Sequence, residues 1–187
     1  GTGDWSSDVC SSDLGGTKMT QEQELNALQR GYYTREELEH VLPSRERVEK
    51  GRVAVIECIE SIPCNPCAYV CQDDGIKKDG LSTPAVVLDD RCGGCTRCIT
   101  VCPGLAIFMQ LFRDGKGYVT MPYELNPEPT LGEEVDMMDR SGKVVGVGTI
   151  VRPTYRARDD SVPRWVVTVE MDDPDLTYEV RAFRIRT

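Results

Sequence analysis

The apolar positions of this chain change their spacing twice. Between residues 20 and 50 they recur at helical intervals, from 53 they gather into short runs, and beyond 130 they alternate with polar residues. In the first part, Thr20 with Gln23 three residues on reads as a capping box. Leu25 and Leu28 share a face and Gly31 ends the helix. Thr34-Arg-Glu-Glu37 is a second box, predicting a helix through Val41 that stops before Pro43, and Ser44 caps a third turn. In the middle part the predicted elements are a strand at 53–57, helix from Ala68 to Cys71, a connection at 75–84 and a strand at 86–88. A helix at 98–102 ends at Pro103. Ile107–Phe112 then forms a strand, Asp114–Gly117 a hairpin turn and Tyr118–Tyr123 the return.

Asn126-Pro-Glu-Pro129 with Thr-Leu-Gly132 reads as a linker. Beyond it, Glu134–Asp139, Lys143–Val151, Arg164–Met171 and Tyr178–Arg186 are predicted strands, separated by turns at 140–142, 158–161 and 172–175. Trp165, Val167, Val169 and Met171 alternate with Val166, Thr168 and Glu170, as one buried sheet face requires. Gly146-Val-Gly148 lies inside a strand pattern with no helix after it, so it marks a bulge or bend and is no dinucleotide fingerprint. Residues 126–187 carry no recognisable chemistry. Arg181, Arg184 and Arg186 read as a solvated face or a docking edge.

Composition narrows the function classes. The net charge of -9 disfavours nucleic acid, whose binding rests on a basic face. It suits docking on a basic patch of a redox partner. No apolar stretch approaches membrane-spanning length and no charged n-region precedes an apolar one, so cytoplasm and no membrane are expected. The single histidine, His40, has no second catalytic group beside it and is assigned no role. Residues 1–18 are Ser/Asp/Gly-rich without a periodic apolar face and are expected to be disordered. The stretch resembles a translated sequencing-adapter fragment, which makes Met19 a plausible start and removes Cys10 from ligand counting.

Nine cysteines then reduce to eight, and their spacing carries the chemistry. Cys92-Gly-Gly-Cys95-Thr-Arg-Cys98-Ile-Thr-Val-Cys102-Pro103 is a C-x2-C-x2-C-x3-C-P run, the pattern that holds iron–sulfur clusters through thiolates. A shift of 31 residues places Cys64 on Cys95, Cys67 on Cys98 and Cys71 on Cys102, with Val55 on Val86 and Ile76 on Ile107, an internal duplication. Residues 52 to about 112 thus resemble the bacterial-type ferredoxin domain with two 4Fe–4S clusters. The resemblance implies crossed ligand sets: Cys58, Cys64, Cys67 and Cys102 for the first cluster, Cys92, Cys95, Cys98 and Cys71 for the second. The first half departs from the pattern, since Ser61 stands opposite Cys92 and Gln72 replaces the proline. Cys58 is taken as the missing ligand; the alternative is a buried strand thiol, with Ser61 or water completing the site or a three-iron cluster forming there. Ile62, Val70, Ile76, Ile99, Val101, Leu105 and Ile107 are expected to form the apolar shell.

The segments Arg52–Cys58, Ile62–Cys67, Gly31–Leu38 and Cys102–Ile107 are further similar to small iron–sulfur subunits associated with FAD-dependent amino-acid dehydrogenases of the proline or hydroxyproline type. That resemblance implies a non-catalytic electron-transfer subunit in a hetero-oligomer with a flavoprotein. No nucleophile–base pair and no flavin or nicotinamide fingerprint accompanies the cysteines. The rival reading is a structural zinc module with two four-cysteine sites, because zinc also takes four thiolates. The expected architecture is α+β: a helical arm at 19–51, a ferredoxin-like two-cluster 4Fe–4S domain at 52–125 and a small antiparallel sheet or barrel at 126–187.

Overall fold

The structure, a computed structural model, describes Ala27, residues 29–156 and residues 164–186. The readings of residues 1–18, of the Thr20 cap and of the turn at 158–161 lie outside these. The chain divides into two compact units, residues 1–31 and 32–187. Within the first, Ala27, Gln29 and Arg30 are helical, and the Gly31 N–H donates to the Ala27 carbonyl at 2.8 Å.

The second unit mixes helix and sheet, with antiparallel sheet dominant. The capping box at Thr34 forms as predicted: the Thr34 N–H donates to Glu37 Oε2 at 2.7 Å and the Glu37 N–H to Thr34 Oγ1 at 3.4 Å. It opens turns and a 3-10 segment, Glu39–Val41, in place of the expected α-helix. Pro43 holds Leu42 extended, and a run this short cannot offset helix nucleation. Helix α1, Arg45–Lys50, is capped by Ser44, whose side chain accepts from the Arg47 N–H, and it buries Val48.

Among the described residues nine strands follow: β1 (Val53–Ile56), β2 (Ile76–Lys77), β3 (Val86–Val87), β4 (Ile107–Arg113), β5 (Lys116–Tyr123), β6 (Glu134–Met138), β7 (Val144–Arg156), β8 (Arg164–Met171) and β9 (Ala182–Ile185). Seven of them make one antiparallel sheet in the order β1-β4-β5-β8-β7-β6-β9, and β2 pairs with β3 separately. Two five-residue helices, α2 (Pro66–Val70) and α3 (Arg97–Val101), carry cysteines. Strands on both sides of residues 125 and 126 therefore share a single hydrogen-bonded sheet.

Alternation along β1 and β4 shows how that sheet is covered. Val55 and Phe108 join a core with Val119, Met121, Met137, Ile150, Val167, Val169 and Phe183, contributed by every strand of the sheet. Their neighbours Ala54, Ile56, Ile107 and Met109 face the other way, onto Ile76, Cys98, Ile99 and Cys102. Side chains alternate faces along a strand, so the complete burial of β1 records cover on both faces. Each fully buried aliphatic or methionine side chain contributes about 1.5–3 kcal/mol.

Two predicted strands change extent. β7 runs on to Arg156 because β8 continues to offer partners, with a register shift between Ile150 and Arg152 that bends the strand. The first part of the predicted strand at 178–186 is instead the end of a 3-10 turn, Pro174–Tyr178, capped by Asp173, and β9 begins only at Ala182.

Candidate metal centre

The eight described cysteines all carry free thiols. Cys58, Cys67, Cys71, Cys92, Cys98 and Cys102 pack on the same core face, the outward side of β1 and β4. Local structure explains how the loops reach it. β2 pairs with β3 through Ile76↔Val87 and Lys77↔Val86, and the Leu88 N–H donates to the Gly75 carbonyl at 2.8 Å. This ladder lays the chain that leaves Cys71 beside the chain that enters Cys92. The Gly75 N–H donates to Cys71 Sγ at 3.2 Å, and a Cβ at Gly75 would lie 3.3 Å from the Cys92 Cα. Cys71 is thereby held next to the second cysteine loop.

That loop is anchored from both sides. β1 is an edge strand, and the Ala54 N–H donates to Cys92 Sγ at 3.3 Å. Gly94 takes φ +66, and a Cβ there would approach the Arg52 carbonyl oxygen to 2.5 Å. Only glycine fits that close passage of loop and strand. From α1, Arg47 donates to the carbonyls of Cys92 at 2.8 Å, Asp89 at 2.7 Å and Gly51 at 2.9 Å.

Burial and neighbouring thiols perturb three of the cysteines. Burial pushes the Cys58 thiol up, with Cys102 and Cys64 adding to it. Burial also raises Cys67, again with Cys102 and Cys64 among its charged neighbours. Cys98 is driven up most strongly, by burial first and then by Cys92 and Cys95, with Cys67 adding to it. Cys102, at the far end of α3, is thus a neighbour of Cys58 and Cys67, and Cys98 of Cys92, Cys95 and Cys67. Ser61 is exposed, whereas Cys58 packs against the core. Among the described residues, no three or more His, Cys, Asp or Glu side chains are gathered as a site for a single metal ion.

The donor set fits a thiolate-bound group on two observations. The sulfurs of Cys71 and Cys92 each accept a backbone N–H, the type of bond that supports charge on sulfur. The surrounding shell is apolar where Ile76, Ile99 and Ile107 are buried. Val70, Val101 and Leu105 are half-buried, and Ile62 corrects the expected shell, being 47% exposed.

Three contacts around the thiols involve charged residues that local pattern did not single out. Arg164 at the start of β8 is 5% exposed and donates to the Cys102 carbonyl at 2.7 Å, with Glu124 at 3.2 Å as its ion-pair partner. Arg47 is the clamp described above. Glu57, between Ile56 and Cys58, receives Arg140 Nε at 3.0 Å and Arg181 Nε at 2.6 Å. Burial raises the Glu57 carboxyl, but the hydrogen bond from Arg140 and the charge of Arg181 outweigh it and hold the group below its ordinary 4.5. Burial pushes Arg181 down to about 10, so both partners remain ionised at neutral pH. Arg181 also lies 5.0 Å over the Phe108 ring. Arg181 is therefore an interior anchor, which corrects its reading as part of a solvated face or docking edge; Arg184 and Arg186 pair at the surface with Asp136.

Compared with known proteins, the chain matches no family model and no solved structure. No described helix is long and apolar enough to cross a membrane.

Proposed function

We propose that this protein is an electron-transfer subunit that binds two 4Fe–4S clusters in a ferredoxin-like arrangement. Cys58, Cys64, Cys67 and Cys102 would hold one cluster, and Cys92, Cys95, Cys98 and Cys71 the other. The observation that supports the reading is geometric: six cysteines pack on one core face, and the β2–β3 ladder holds the Cys71 end of the first loop beside Cys92 of the second. A fourth cysteine lying by the opposite loop is the arrangement that the C-x2-C-x2-C-x3-C-P run serves in two-cluster proteins.

When bound, such clusters supply electron transfer at potentials tuned by hydrogen bonds to sulfur and by solvent exposure. The chain's own part is to hold and insulate. Ala54 and Gly75 present N–H groups to sulfur. Ile76, Ile99 and Ile107 exclude water. Arg47 and Arg164 fix the carbonyls of Cys92 and Cys102. The exposed Cys95 puts the second set at the surface, where an electron would leave or enter. The partner we infer is an FAD-dependent dehydrogenase in a hetero-oligomer, in the cytoplasm, where thiols stay reduced.

Purification without oxygen tests the reading. The protein should be brown and contain about eight iron and eight acid-labile sulfide per chain. Stoichiometric zinc without sulfide would replace electron transfer by a structural zinc module.

A further inference from the structure

Beside Cys95 the outer face of the sheet opens into a polar cleft of about 70 Å³. Three arginines line it: Arg52 before β1, and Arg152 and Arg156 on β7. Among the described residues, no carboxylate does. Most other arginines around the sheet differ: Arg140, Arg164, Arg181, Arg184 and Arg186 each meet an Asp or Glu, while Arg113 is exposed at the end of β4. Among the described residues, Arg52, Arg152 and Arg156 meet none. Arg52 Nε is moreover buried without a hydrogen-bond partner. Like charges crowded into one recess repel unless an anion joins them.

The floor supplies further donors. Thr120, Thr168 and Arg152 lie in register across β5, β8 and β7, so they face the same side of the sheet. The Thr120 and Thr168 hydroxyls are 2.8 Å apart. One hydrogen joins them and the other remains for a ligand. At roughly 10–15 Å³ per water, the recess has room for several waters, hence for one compact anion.

We propose that this cleft binds a phosphoryl group, either free inorganic phosphate or the phosphate of an organic monoester. Three guanidiniums and a hydroxyl donor match a group with close to two charges and several acceptor oxygens better than a carboxylate with one charge and two oxygens. The assignment stands on the arginines and threonines; Cys95 also lines the cleft, so the phosphoryl group would sit beside whatever that cysteine holds.

The test is calorimetric titration of the full chain with inorganic phosphate and with adenosine 5′-monophosphate, at constant ionic strength in chloride. Saturable binding of phosphate is expected, weakened at least about tenfold by Arg152→Gln with Arg156→Gln, since each removes a charge-assisted hydrogen bond. Both side chains are exposed on β7, so folding should survive, and a thermal melt checks it. Arg184→Gln, a surface arginine outside the cleft, should leave binding unchanged. Equal affinity for the two probes identifies a site for the phosphoryl group alone. Tighter binding of the monophosphate identifies an ester site. Absence of saturable binding, or an equal loss in Arg184→Gln, overturns the proposal.

Discussion

The guanidinium of Arg164 donates to the carbonyl of Cys102 at 2.7 Å, across 62 residues of chain. Strand β8 thereby grips the end of α3, and its neighbour Val166 packs on the same face as Cys98 and Cys102. The thiol-bearing loops are thus fastened to a strand that carries no cysteine.

Replacing Arg164 by Met keeps much of the side-chain volume and removes the donor. The Cys102 carbonyl and the partner carboxylate of Glu124 lose their bond, and a buried unsatisfied acceptor costs about 1–3 kcal/mol. Denaturant unfolding should report a loss of that size. The proposed first cluster should also release iron faster than the second, because Cys102 belongs to the first set. Unchanged stability and iron retention would show that Arg164 positions nothing.

The ion trio of Glu57, Arg140 and Arg181 joins the end of β1 to the β6–β7 turn and the approach to β9. Glu57→Gln leaves two buried guanidiniums with only the more distant carboxylate of Glu179, 3.9 Å from Arg140, for counter-charge. A loss of about 3–5 kcal/mol at pH 7 is expected, the usual effect of removing one partner of a buried pair.

The same carboxyl sets an acid limit. Its folded pKa lies below the ordinary 4.5, so the stabilisation is fully present above about 4.5 and is lost as pH falls through the folded value. The stability difference between wild type and Glu57→Gln should therefore shrink as pH falls below about 4.5 and through the folded value, below which both chains carry a neutral side chain at this position. Denaturant midpoints measured across that range check it. A constant difference would place the acid sensitivity elsewhere.

Gly94→Ala forces a Cβ toward the Arg52 carbonyl, 2.5 Å away, at a φ of +66 that L side chains rarely adopt. Loop and edge strand must part, and the Ala54 N–H bond to Cys92 Sγ is the contact most exposed to that shift. Iron and sulfide counts should fall by about half, on the reading of one cluster per cysteine set, with the second set affected. A full complement would mean that the loop absorbs the change.

Cys58→Ala addresses the departure of the first half from the repeat. If Cys58 is the fourth ligand, one cluster is damaged and the other stays, again near half the iron by analysis. An unchanged count removes Cys58 from the ligand set and returns the exposed Ser61 or water to that place.

Much of the local structure was legible. β8 lies where alternation predicted it, Ser44 caps α1, and the capping box at Thr34 closes. These depend on neighbours within a few residues, which a linear pattern contains. The helix expected after Thr34 failed because Pro43 leaves too little chain beyond the box, a constraint the box itself does not encode. The charged residues around the thiols were not legible. Arg47, Arg164 and Arg181 look in sequence like any solvated arginine, and only folding brings them to carbonyls and to Glu57. The arginine cleft is hidden for the same reason, since Arg52 and Arg152 are neighbours only across the fold.

The sequence by itself determined the thiol spacing, the internal repeat and most of the strands, because each rests on short-range periodicity and turn chemistry. Only the tertiary structure decided that β1 and β4 join the later strands in one sheet, and which face of it receives the cysteine loops. Strand partners distant in sequence are selected by matching buried faces and register, and such complementarity exists only once both surfaces have formed.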